Sequence, residues 1–355
     1  MPSAFEELCT LTREAALLES IEAVLGWDER TYMPPAAGEY RAEQMTYLSG
    51  LVHRRRTSPR LGELLHELAE SDLARDPHSD AGATIRELQR QYAKRVKLPQ
   101  KLVEELTRAS VLGQQAWVLA RQDDDFAAFA PHVEKLFHLK REQAACLGYE
   151  QEPYDALLDD FEPGAKTPEI ANVLAALRSE LVPLVQGIMQ SGRRAPVEIL
   201  EREYPAHAQE AFGRAAAAAI GFDFTRGRLD ITHHPFCSGL GPHDCRITTR
   251  YDERFFNSAF FGILHEAGHG IYDQGLRPDQ FGLPPGTYVS LGIHESQSRL
   301  WENLVGRSRG FWQHFFPQLQ GAFPTAVGDV TLDEFYWAIN HVAPSLIRVE
   351  ADEAT

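Results

Sequence analysis

Residues 265–269 read His265-Glu266-Ala267-Gly268-His269, two histidines four apart with a glutamate beside the first. On a helix, positions four apart share one face about one turn apart, so both imidazoles can reach one metal ion. Glu266 then sits beside a water that the metal polarises. It can take the water's proton as the water attacks a carbonyl. The spacing therefore encodes metal-assisted hydrolysis, and not only a metal site.

Two imidazoles do not complete a catalytic site; a third ligand is needed, with a fourth position left for water. One known pattern places Gly three residues after the second His and a third His three further on. Here Tyr272 and Gly275 hold those positions, so that pattern fails. The other common route is a carboxylate from a following helix. Glu295 and Glu302 both offer one, seven residues and so two turns apart on one face. Both stay open on spacing. Glu295 is favoured because it lies near the helix start among polar residues, whereas Leu300 and Leu304 mark the later part as packing.

The helix that must carry the histidines reads from Asp252, as N-cap, to Gly275, as the residue that ends it. Phe256, Phe260, Ile263, Ala267 and Ile271 form one apolar stripe at helical spacing. Phe261, His265, His269 and Tyr272 lie on another face, so the helix is expected to be central and buried. Before it, residues 229–232 and 246–251 read as two strands of a small sheet beside this helix. After it come a loop over 276–292 and a long helix over 293–311. Upstream, residues 5–220 read as successive helices broken at Pro and Gly. The expected fold is mainly α, with an N-terminal helical region over 1–220 and a catalytic region over 221–355 forming one continuous structural unit.

The whole chain bounds what such a site can act on. It has 355 residues, 43% of them hydrophobic, enough for a large core. A formal net charge of −16 argues against nucleic acid or an anionic membrane as partner. Cys9, Cys146, Cys237 and Cys245 show no paired framework and read as buried or free thiols. The first residues form no secretory signal, and no stretch reaches membrane-spanning length, which together point to the cytoplasm.

Five short motifs in order make the chain resemble the thermostable carboxypeptidase Taq family of metal-dependent carboxypeptidases. They are His234-Pro235-Phe236, Asp244-Cys245-Arg246-Ile247-Thr248, residues 265–269, His294-Glu295-Ser296-Gln297 and Ile347-Arg348-Val349-Glu350-Ala351-Asp352. The likeness runs from Trp27-Asp28-Glu29-Arg30 to the last residue. It implies a helical fold with a deep cleft, usually a homodimer, using one Zn²⁺ or Co²⁺ per chain. It implies release of single C-terminal residues from peptides with broad preference, proline being resisted. By the resemblance Glu295 is the third metal ligand beside His265 and His269, and Glu266 is the general base.

A carboxypeptidase must recognise a free carboxylate, which the planar fork of arginine matches. Arg246 and Arg348 lie inside the motifs and are the candidates; the alternative for each is an ion pair that orders Asp244 or Asp352. His234 is a candidate for a hydrogen bond to the substrate or a structural part of its turn. His294 and Gln297 are expected to orient the ligands. Chains of the family run on well past the Ile347–Asp352 motif, whereas this one stops at Thr355. By resemblance the further segment carries a Gln-Asp-x-His-Trp motif and a tyrosine near the reacting carbonyl. Competing readings are a metallopeptidase that cleaves inside short peptides, and an inactive or truncated scaffold that keeps the metal.

Overall fold

The computed structural model describes residues 3–343, and its chain divides into two compact units that exchange segments. The first runs to Gly164 and takes up Ser238–Cys245 and Gly275–Leu291; the second comprises Ala165–Cys237, Arg246–Gln274 and the chain from Gly292.

The first unit is built from α1 (Ala4–Thr31), α2 (Gly38–Arg56), α3 (Pro59–Ala69), α4 (Asp80–Arg95), α5 (Gln100–Gln122), α6 (Phe126–Leu147) and α7 (Pro153–Leu158). Local signals set its helix starts. Ser3 and Glu6 close a reciprocal capping box on α1, and Ser58, Ser79 and Asp125 accept from the first turns of α3, α4 and α6. Leu8, Leu61, Leu64, Leu65, Leu68, Ile85 and Leu88 make one apolar cluster beneath α1, α3 and α4.

Glu22 on α1 is half-buried, and burial, with Glu19 one turn away, pushes its carboxyl up to about 7. A raised acid contributes stability that is whole below its ordinary 4.5 and is lost as pH climbs through about 7. Partial exposure discounts the effect to roughly 1 kcal/mol. The unfolding free energy from denaturant titration should therefore fall from pH 5 to pH 8 by that much more in the wild type than in Glu22→Gln. Equal falls would show that Glu22 ionises freely.

The second unit holds α8 (Thr167–Gln190), α9 (Ala206–Ile220), α10 (Phe256–Gly275), α11 (Leu291–Arg299), α12 (Arg309–Ala322), α13 (Pro324–Val327) and α14 (Leu332–Ile339). The sheet has three strands, β1 (Gly227–Ile231), β2 (Cys237–Gly241) and β3 (Asp244–Thr249), with β3 in the middle. The periodicity of β2 is hidden by its two glycines, so only its neighbours are legible as strands.

The core of the second unit is aromatic. Phe212, Phe256, Phe260, Phe311, Trp312, Phe315, Phe323 and Phe335 pack in one cluster, with Phe256 and Phe260 stacked at 5.1 Å between ring centroids. Burying each such side chain is worth about 1.5–3 kcal/mol, which anchors α10 by its apolar stripe. The helix starts at Phe256 rather than just after Asp252. Asp252 instead caps a tight turn, its Oδ1 accepting from Arg254 N at 2.8 Å. Phe256 N donates to Leu200 O at 2.9 Å.

The long helix expected over 293–311 is broken. α11 runs into a widened π turn over Leu300–Val305, closed by Gly306 N donating to Trp301 O at 2.9 Å, and Ser308 then caps α12. Among the described residues no helix is long and apolar enough to cross a membrane.

Candidate metal centre

α10 supplies His265 and His269, and α11 supplies Glu295. One ligand atom of each lies within 4.8 Å of the others. Glu295 Oε1 is 3.6 Å from His265 Nε2, and Glu295 Oε2 is 3.2 Å from His269 Nε2. Ligand atoms about 2.1 Å from a tetrahedral ion lie roughly 3.4 Å apart, so this spacing fits a metal. The helices approach closely because Gly268, beside His269, lies against the backbone of Gln297 and Ser298.

The other ring nitrogens are occupied. His265 Nδ1 lies 2.7 Å from Glu302 Oε2, which also accepts from Arg299 Nη1 at 2.9 Å. A carboxylate can only accept, so it takes the Nδ1 proton, and Nε2 is the ring nitrogen that faces Glu295. His269 Nδ1 lies 2.5 Å from His294 Nδ1, and His294 Nε2 lies 2.9 Å from Asp273 Oδ1.

Protonation follows from these contacts. The hydrogen bond from His269 holds the Glu295 carboxyl at about 2 against burial, helped by His265 and Arg299. Burial lowers the His269 pKa, the contact with Glu295 opposes that, and His265 and His294 nearby lower it further. Glu295 thus keeps its negative charge while His269 resists a second proton, a donor set suited to a cation. Burial also opposes a charged His265, but Glu302, Glu266 and Glu295 more than offset it and raise its pKa. Glu266, only 5% exposed, is pushed up to about 8 by burial, against the lowering effect of His265 and with Glu295 and Glu302 adding to the rise.

The sequence candidates therefore fall into groups. His265, His269, Glu295 and His294 come together, with Glu266 buried on the same helix. Glu302, weighed as a ligand, sits on the far side of the His265 ring. Gln297 is half-buried, and its amide donates to Ser296 Oγ at 3.4 Å. Arg246 and Asp244 lie half-buried on β3, alternating with buried Cys245 and Ile247. His234 is half-buried on the connection from β1 to β2. Arg348 and Asp352 lie outside the described residues. Asp273 went unmarked in the sequence although it continues the row His265, His269 by one further turn.

Known proteins resemble the chain over nearly its whole length. The family model described as carboxypeptidase Taq (M32) metallopeptidase matches residues 7–355. Thermostable carboxypeptidase 1 of Thermus thermophilus is 45% identical over 363 residues, covering 99% of this chain and 71% of the relative. Carboxypeptidase 1 of Bacillus subtilis is 36% identical, covering 99% of this chain and 70% of the relative. Among solved structures, the M32 carboxypeptidase from Deinococcus radiodurans superposes with a TM-score of 0.88 at 38% identity, covering 99% of this chain and 70% of that one.

Proposed function

Because the chain belongs to the carboxypeptidase Taq (M32) metallopeptidase family, we propose that it hydrolyses the C-terminal peptide bond of peptides with broad side-chain preference. The observation that carries this reading is the cluster of His265, His269 and Glu295, with Glu266 buried on the helix between the two histidines. Those three side chains would hold one divalent metal, Zn²⁺ first and Co²⁺ as the alternative. Bound there, the metal supplies Lewis-acid polarisation of the scissile carbonyl and acidifies water.

The rest is done by the chain. Glu266 accepts the proton of the attacking water and passes it to the leaving amine. Glu302 holds the His265 ring so that its Nε2 faces the site, and Arg299 holds Glu302 in turn. Arg246, half-buried on β3, and Arg348 are the proposed partners of the substrate's C-terminal carboxylate. The proposed active form is a homodimer.

The test compares a blocked dipeptide with a free C-terminal acid against its amide. A charge-assisted bidentate pair contributes about 2–3 kcal/mol, so the amide should be cleaved on the order of 10²-fold more slowly. Equal rates would sink the carboxypeptidase reading in favour of cleavage inside peptides. Stoichiometric zinc without amino-acid release would favour an inactive scaffold.

A further inference from the structure

α8 carries an apolar stripe that the metal centre does not use. Ile170, Leu177 and Leu184 recur every seven residues, and Val173, Leu181 and Ile188 stand three or four residues from them. Asn172, Ser179 and Gln186 repeat at the same interval on the opposite side. Two such ridges describe a helix suited to pack lengthwise against another helix. Among the described residues no side chain buries this face. α8 spans 24 residues and none of them is buried. Val173, Leu174, Leu177, Leu184 and Ile188 are 41% to 67% exposed. A lone helix with Pro183 and Gly187 in its interior is marginal in water, and packing of the apolar face must supply what propensity does not.

We infer that this face of α8 is the docking surface for the part of the family fold that lies beyond the stretch this chain shares with its relatives. The lengths of the relatives supply the occupant. This chain is covered to 99% by the Thermus thermophilus and Deinococcus radiodurans proteins, yet covers only 71% of the first and 70% of the second. The shared part keeps its fold, and about three tenths of each relative lies outside it. By the resemblance, that part follows the Ile347–Asp352 motif. A segment in the same polypeptide is tethered at an effective concentration in the millimolar range, which a second copy of a dilute protein does not reach. Self-association must also bring together two chains of net charge −16. The occupant is therefore an amphipathic helix of that segment, apolar toward α8. The inference rests on family membership and not on the reading of the metal centre.

Amide hydrogen exchange over Thr167–Gln190 reads the docking in two proteins. One is the 355-residue chain; the other is the same chain extended past Thr355 by the unmatched stretch of the Thermus thermophilus relative. In the dilute 355-residue chain these amides should exchange as those of an exposed helix. In the extended chain they should slow on the order of 100-fold. Leu177→Glu combined with Leu184→Glu should abolish that slowing. The same pair should leave the melting of the 355-residue chain unchanged, because both side chains are exposed there. No slowing in the extended chain, or slowing that survives the double variant, overturns the inference. So does slowing in the 355-residue chain that grows with its concentration and vanishes in the double variant, which would give the face to a second copy. The full-length Thermus thermophilus relative supplies a check that needs no new chain: fast exchange in its helix matching α8 would refute the docking. None of these readouts depends on bound metal or on peptide hydrolysis.

Discussion

Glu266→Gln should lower the release of C-terminal residues on the order of 10³-fold while leaving bound zinc near one per chain. Glutamine keeps the size and polarity of the side chain but cannot take a proton from water at neutral pH. The ligands His265, His269 and Glu295 do not depend on it, so metal content and turnover should separate. The acid limb of the activity profile should disappear from whatever rate remains. That limb reports Glu266, whose carboxyl burial pushes up to about 8 before any cation is present and which a cation in the site draws back down.

Stability gives an independent reading of the same group. Its folded pKa lies above the unfolded 4.5, so the protonated carboxyl contributes stability that is whole below about 4.5 and is lost as pH climbs through about 8. Metal-free wild type should lose stability over that window relative to metal-free Glu266→Gln. Two results would contradict the base role: a variant keeping more than about a tenth of the wild-type rate, or one losing its zinc along with its activity.

The two histidines were legible because a helix turns their spacing into a shared face, and the apolar stripe of Phe256, Phe260, Ile263 and Ala267 marks the opposite side as core. The choice between Glu295 and Glu302 was not settled by spacing. Periodicity assigns a residue to a face, but not to one edge or the other of a facing imidazole ring. Both carboxylates meet His265, one at Nε2 and one at Nδ1. The π turn over Leu300–Val305 is invisible to periodicity, since it inserts no Pro or Gly and depends on what the turn packs against. Asp273 was readable as the next step of the His265, His269 row. What hid it is that its partner, His294, comes from another helix. The exchange of Ser238–Cys245 and Gly275–Leu291 into the first unit arises from long-range packing, which local pattern does not record.

Gly268→Ala should cost both stability and metal affinity, although alanine is the better helix former by about 1 kcal/mol. A methyl group at Gly268 would stand 2.6 Å from Gln297 O and 2.7 Å from Ser298 Cα. Both are backbone atoms, so no side chain can rotate away and the helices must part. Overpacking of this kind costs about 1–3 kcal/mol, which exceeds the propensity gain. The displacement falls where it matters, since Gly268 adjoins His269 and Gln297 follows Glu295 by two residues. Moving α11 outward lengthens the 3.2 Å separation of His269 Nε2 and Glu295 Oε2. A misplacement near 1 Å costs roughly 100-fold in a positioned site, so zinc affinity and turnover should both fall by that order. Gly262→Ala is the matched control on the same helix, because its new methyl would meet only Thr249 Oγ1 at 3.8 Å. That variant should be stabilised by up to about 1 kcal/mol with the site intact. Thermal melts and zinc competition on the two variants decide the matter: equal behaviour would mean that α10 and α11 do not hold the site through the contact at Gly268.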